Sequence, residues 1–220
     1  MWALIYKEFV QMRNYLLQVG LVIIIAIILF GQSLEGFILP YLGVLPLVMA
    51  MTLPQMVFSL EERGNTLVYL RSLPVRPQQI VASKFVVSLL IVLGLMVIQL
   101  GYAITVGRVA SVLGSLGLNL IIAALLLGLS LYLHFRLGTN KAKVALLISL
   151  MVLTVSGMAL MQSPQIANWF ASSHAVAAVT ELLSTPQGSI LGLGIATAIL
   201  LLFYGLSAAV FSRQDVSRIP

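Results

Sequence analysis

Long runs without a single charged residue alternate along this chain with short polar islands. The charge-free runs cover 14–34, 36–60, 85–107, 109–135, 144–180 and 182–212. A helix needs about 20 apolar residues to cross the hydrocarbon core, and inside lipid each segment must satisfy its own backbone polar groups. The first four runs therefore predict one transmembrane helix each, over about 16–34, 38–60, 85–107 and 112–135. The fifth is too long for one crossing, and Pro164, Asn168 and the Ser172-Ser173-His174 cluster interrupt it. It predicts a span over about 144–162 and then a short external helical segment within 164–187, bounded by Pro164 and Pro186, where Trp169 and Phe170 suit an interface. The last span is 188–211. The predicted fold class is an all-α membrane protein of six transmembrane helices in a single domain, 1–220.

Composition agrees. The chain is 60% apolar and 8% charged, with a mean hydropathy of +1.10, against about 25% charged residues in a soluble domain. Basic residues favour the cytoplasmic side. With both termini cytoplasmic, 11 of the 12 Lys and Arg fall inside and only Arg108 outside. The net charge of +6 is thus a topology signal and not a nucleic-acid surface, which would need a basic soluble face. The first span exceeds the apolar core of a cleavable signal peptide. Zero cysteines exclude disulfides, thiolate metal sites and thiol catalysis.

Ahead of the first span, Trp2, Ile5, Phe9 and Met12 recur at helical spacing, with Lys7, Glu8 and Gln11 on other faces. This pattern predicts an amphipathic N-terminal helix lying in the membrane interface, or a cytoplasmic extension of the first span. The second span carries Pro40, Pro46 and Pro54. Pro40 reads as a helix start, and Pro54 beside Gln55 as a bend bordering a polar path. The other polar residues on apolar helices are Thr52, Gln99, Tyr102, Asn119 and Thr154. They are pathway candidates, weighed against the commoner role of buried polar groups in holding helices together. Gly188 and Gly192 form a G-x-x-x-G that seats either a dimer or the last span.

Several chemistries have no residues to carry them. There is no phosphate-binding G-x-x-x-x-G-K-[ST]. His134 and His174 fall at opposite ends of the spans, so neither a metal site nor a Ser-His-Asp set is expected, and the chain reads as a non-enzyme. With acids and bases placed only between spans, transport coupled to buried charges is not expected either. Nor are there the paired broken helices of a secondary transporter.

The remaining feature is the island Glu61–Lys84, which holds 6 of the 18 charged residues. Placed between spans, it is expected in water. Glu61-Glu62 close the second span, a short helix fits Thr66–Arg71 with Leu67 and Leu70 on one stripe, and Ser72-Leu73-Pro74 breaks it. Pro77 suits the first position of a new helix, which Gln78–Lys84 lead into the third span. A solvated turn would need neither the leucine stripe nor two prolines.

In this order of residues (Glu61-Glu62, Gly64, Thr66, Leu70, Ser72-Leu73-Pro74, Ile80-Val81, Lys84) the chain resembles the membrane subunits of type-2 ABC transporters, the ABC-2 permeases. The stretch Phe135–Lys143 resembles the short cytoplasmic loop of the subgroup that exports bacteriocin-like and amphipathic peptides. The resemblance implies a multi-pass subunit of a bacterial cell membrane, paired with a second permease subunit and docked on separate P-loop ATPase subunits that hold ATP and Mg. This chain itself would hold no cofactor. It further implies a cytoplasmic coupling helix contributed by Glu61, Glu62, Arg63, Gly64, Leu67, Leu70, Arg71, Leu73 and Pro74. A second loop would be marked by Arg136, Lys141 and Lys143. An amphipathic or antimicrobial peptide, or another amphiphile, is the implied cargo. A haem-exporter-type permease subunit and a non-transporting scaffold are the alternatives.

Overall fold

The computed structural model describes residues 2–30, 35–63, 76–162 and 185–213. These form six helices: α1 (Trp2–Phe30), α2 (Glu35–Arg63), α3 (Pro77–Thr105), α4 (Val109–Leu137), α5 (Thr139–Gln162) and α6 (Pro186–Arg213), with no strand among the described residues. Among the described residues, α1, α2, α3, α4 and α6 each hold a stretch long and apolar enough to cross a membrane, and α5 runs 24 residues. The expected external segment, 164–187, lies almost wholly outside the described residues.

Most helices outrun the spans expected from charge-free runs. α2 ends at Arg63 and α3 already starts at Pro77, where the ring fixes a helical φ and the missing N–H costs nothing. At 29 residues, α3 is about 43 Å long, more than the roughly 30 Å hydrocarbon core. The N-terminal stretch is no separate interfacial helix. α1 runs unbroken from Trp2 to Phe30, because no proline or glycine interrupts it before Gly20. Pro40 is likewise not a helix start: α2 begins at Glu35 and continues through all three prolines.

Side-chain contacts fix the directions. Gly43 faces Asn119 and Phe58 meets Phe135, so α2 and α4 run parallel. Gly117 lies on Gly192, Gly128 on Phe203 and Phe135 on Phe211, so α4 and α6 are parallel too. Linked chain-wise by short turns, α3 and α5 run the other way. The turn from α3 to α4 uses Gly107 (φ 71°), and a single residue, Gly138 (φ 76°), joins α4 to α5. Both sit in the left-handed region where a Cβ is penalised.

The α4–α6 seam is the closest approach in the bundle. A Cβ on Gly192 would lie 2.7 Å from Gly117 Cα, and one on Gly128 would lie 2.5 Å from the Phe203 ring. Ser189 Oγ donates to the Leu113 carbonyl at 2.8 Å. Between apolar helices in lipid, association rests on close packing and interhelical hydrogen bonds, which small residues permit. The Gly188–Gly192 pair therefore packs the last span within the chain. Elsewhere Leu53, Val57, Val81, Val87, Leu127 and Leu131 fill the centre, while Ile28, Leu147, Ile190 and Leu201 point outward. Apolar residues on both faces are what a helix bundle in lipid requires.

Gly192→Val should force the α4–α6 backbones apart and cost at least the 1–3 kcal/mol or so of an overpacked core. A lowered unfolding temperature in detergent checks this. Gly194→Val, where nothing lies within 4 Å of the new Cβ, should leave that temperature nearly unchanged.

Candidate functional site

Four charged side chains meet where α1, α2 and α3 come together. Lys7 and Glu8 are consecutive on α1, Glu61 is in the last turn of α2, and Lys84 is two turns into α3. Lys7 Nζ lies 3.3 Å from Glu8 Oε1 and 2.8 Å from Glu61 Oε1. Lys84 Nζ lies 3.3 Å from Glu8 Oε1 and 2.6 Å from Glu61 Oε2. The result is a closed ring of alternating charge in which each ion touches two of opposite sign. Glu61 and Lys84 are 0% exposed, Glu8 2% and Lys7 28%. Isolated, each buried ion would cost several kcal/mol. Arranged two against two, the set is neutral. Lys84 also lies 4.8 Å from the centre of the Phe58 ring, a cation–π contact one turn before Glu61.

This corrects the reading of the charged island. Its two ends, Glu61 and Lys84, are not in water but buried against each other and against Glu8. All four lie on the membrane-length helices Trp2–Ile25, Leu42–Glu62 and Pro77–Thr105, just beyond the charge-free runs. The sequence hides this because the Lys7-Glu8 pair, Glu61 and Lys84 are far apart along the chain and each looks like a flanking charge.

Glu62 points elsewhere. Its Oε1 accepts the backbone N–H of Thr139 at 3.2 Å, so a carboxylate sits at the N-terminus of α5, where it favours the helix dipole. The two adjacent glutamates thus divide: Glu61 holds α1 and α3, and Glu62 holds α5. Close by, Arg136 donates to the Tyr132 hydroxyl at 2.9 Å, and Arg136 and Lys141 are exposed while Lys143 is half-buried. His134, expected at the interface, is 2% exposed. Its Nδ1 lies 2.7 Å from the Ser130 carbonyl, its ring stacks on Phe58 at 5.2 Å, and Nε2 has no partner among the described residues. Ser130 Oγ in turn donates to the Met51 carbonyl at 3.3 Å, beside the Ala50 carbonyl that Pro54 leaves without its helical donor.

Of the remaining coupling residues, Gly64, Leu67, Leu70, Arg71, Leu73 and Pro74 lie outside the described residues. Arg63 closes α2, and Arg76, with extended backbone (φ −65°, ψ 136°), opens α3. The helices that flank 64–75 are therefore held together by the ring, and α2 is tied to α5 by Glu62.

The pathway candidates separate into two groups. Gln99 on α3 is buried and Asn119 on α4 half-buried, and both face Gly43 of α2. A Cβ there would be 3.0 Å from Gln99 Nε2 and 4.0 Å from Asn119 Nδ2. Tyr102, one turn beyond Gln99, has a buried hydroxyl with no partner among the described residues. Thr52 stands apart and donates to the Val48 carbonyl of its own helix at 3.1 Å. Pro54 is buried and Gln55 half-buried. Thr154 belongs to α5, its side chain lying outside the described residues. A cavity of about 220 Å³ between α3, α4 and α6 is lined by aliphatic residues and Thr197, and by none of the candidates. Among the described residues no group of three or more acidic or histidine side chains is placed to hold a metal.

Membrane-length helices whose described charges, Glu35 and Arg108 apart, gather at one end define a multi-pass helical membrane protein. A family model described as ABC-2 family transporter protein matches residues 3–212, and the chain belongs to that family. No curated protein and no solved structure gave a match. Membership makes the chain a permease subunit of an ABC transporter, a class whose membrane component is generally non-catalytic and works with an ATPase partner.

Lys84→Met should leave Glu8 and Glu61 buried with only Lys7 between them, at a cost of about 3–5 kcal/mol. Loss of folded protein on size-exclusion chromatography in detergent is the expected result. Glu62→Ala should cost only about 0.3–1 kcal/mol, as for a carboxylate lost from a helix N-terminus, and remain monodisperse.

Proposed function

We propose that this chain is the pathway-forming half of an ATP-driven exporter, working as a dimer with both termini in the cytoplasm. The observation that carries this reading is the tying together of the helices that flank 64–75, added to the family match. A lever transmits displacement only if its base does not yield. Glu61 with Lys84, and Glu62 with Thr139, tie that base to α1, α3 and α5. On this reading Leu67, Leu70 and Leu73 supply the buried contact with the ATPase, and Arg71 and Arg63 its polar register. A few desolvated anchors carry most such interfaces. Glu61 supports the lever from within, while Gly64 and Pro74 bracket its helix. Arg136, Lys141 and Lys143 add a second, weaker contact through the α4–α5 link.

The pathway is proposed to run past Gln99, Tyr102 and Asn119, polar groups in an otherwise apolar bundle. Uncharged but hydrogen-bonding surroundings suit an amphiphile, and the proposed cargo is an amphipathic or antimicrobial peptide.

Leu70→Asp is expected to abolish co-purification of the ATPase while membrane insertion stays normal; undiminished co-purification would overturn the lever assignment. In proteoliposomes, ATP turnover should rise with an added amphipathic helical peptide. A response to haem or lipid in place of the peptide would replace this cargo.

A further inference from the structure

The alternating ring has a division of labour that its geometry makes explicit. Glu61 near the end of α2 and Lys84 near the start of α3 pair with each other at 2.6 Å, so that pair is neutral and by itself joins the two helices. Lys7 and Glu8 add a second neutral pair, both members from α1, each reaching across to one ion of the hairpin at 2.8 and 3.3 Å. Stabilising the hairpin needs only the first pair. What the second pair adds is a connection: it fixes the N-terminal part of α1 to the base of the segment proposed above to meet the ATPase. Among the described residues, no ion pair ties α1 to α4 or α6. Further along, the α1 contacts are soft ones, such as the Tyr15 hydroxyl 3.8 Å from Met49 Sδ, together with an apolar cleft of about 250 Å³ lined by Leu16, Val19, Met49, Ile91 and Leu95 among others. A helix held firmly at one end and loosely along its length follows the element it is fastened to.

We infer that Lys7 and Glu8 are positioning residues that make α1 move with the α2–α3 hairpin when the ATPase acts on it. This rests on the coupling reading of the 64–75 segment. The partner surface is internal: one buried carboxylate, Glu61, and one buried ammonium, Lys84, set side by side, a pattern that a helix carrying adjacent opposite charges completes.

The test exploits the absence of native cysteines. Single labels introduced by Leu17→Cys on α1 or Leu90→Cys on α3 are each paired with Leu201→Cys on α6, all three positions lying on the exposed side of their helices. Spin-label distances are measured in the assembled permease–ATPase complex, with and without Mg-ATP and vanadate. In the otherwise wild-type chain both distances should change with nucleotide. In K7M/E8Q, which leaves Glu61–Lys84 intact and the cluster neutral, the α3 distance should still change. The α1 change should vanish, and transport per ATP should fall about tenfold, within the range that coupled sites span. An α1 change that persists in K7M/E8Q overturns the inference and leaves the coupling reading standing. No change at either label in the wild-type background removes the coupling reading, and this one with it. Should K7M/E8Q not assemble, Lys7→Gln/Glu8→Gln keeps the same charge balance with polar side chains and serves the same comparison. A role in stability alone predicts lower unfolding temperature with both distance changes retained, which also overturns it.

Discussion

Electroneutrality among buried ions is the constraint on which the polar end of this bundle depends. Lys84 has no exposure, and two carboxylates within ion-pair distance offset the burial of its charge. Those carboxylates in turn need a second cation, and Lys7 supplies it. Satisfying the four charges places α1, α2 and α3 relative to one another more narrowly than their apolar faces do, since leucine and valine surfaces slide over each other at little cost. Buried ion pairs are poor sources of net stability compared with apolar packing of the same volume, and their best-attested value is in fixing register. Here the register they fix is that of the loop base.

The six described helices were legible from the spacing of charges alone, because lipid imposes the same demand on every crossing segment, whereas most helix ends run past the charge-free stretches. Pro77 as a helix start was legible for the same kind of reason: its ring dictates φ. What could not be read was which flanking charges turn inward. Glu61 and Glu62 are neighbours in sequence with identical chemistry, yet one joins the ring and the other caps α5. Helical rotation of about 100° per residue separates their directions, and only the positions of α1 and α5 decide which carboxylate finds which partner. His134 stands in the last turn of α4, as its position in the chain implies, but its burial beneath Phe58 depends on where α2 lies.

The pathway candidates teach a related lesson. Gln99 and Asn119 were singled out as polar residues on apolar runs, and both face the space that Gly43 on a third helix leaves open. Thr52 looked equivalent and satisfies itself with a carbonyl of its own turn, as threonines in helices commonly do. Polarity along one helix identifies a group that needs a partner; the partner's helix decides whether that need creates a site.

The glycine seam between α4 and α6 has a mechanical meaning. Where backbone lies against backbone, as at Gly117 and Gly192, there is no side chain whose rotamer change can let one helix slip past the other. The two helices behave as a single plank, with Phe135 and Phe211 continuing the join to the charged end. Any rearrangement of this subunit is therefore confined to the borders of that plank, and the polar contact around Gly43, Gln99 and Asn119 lies on one of them.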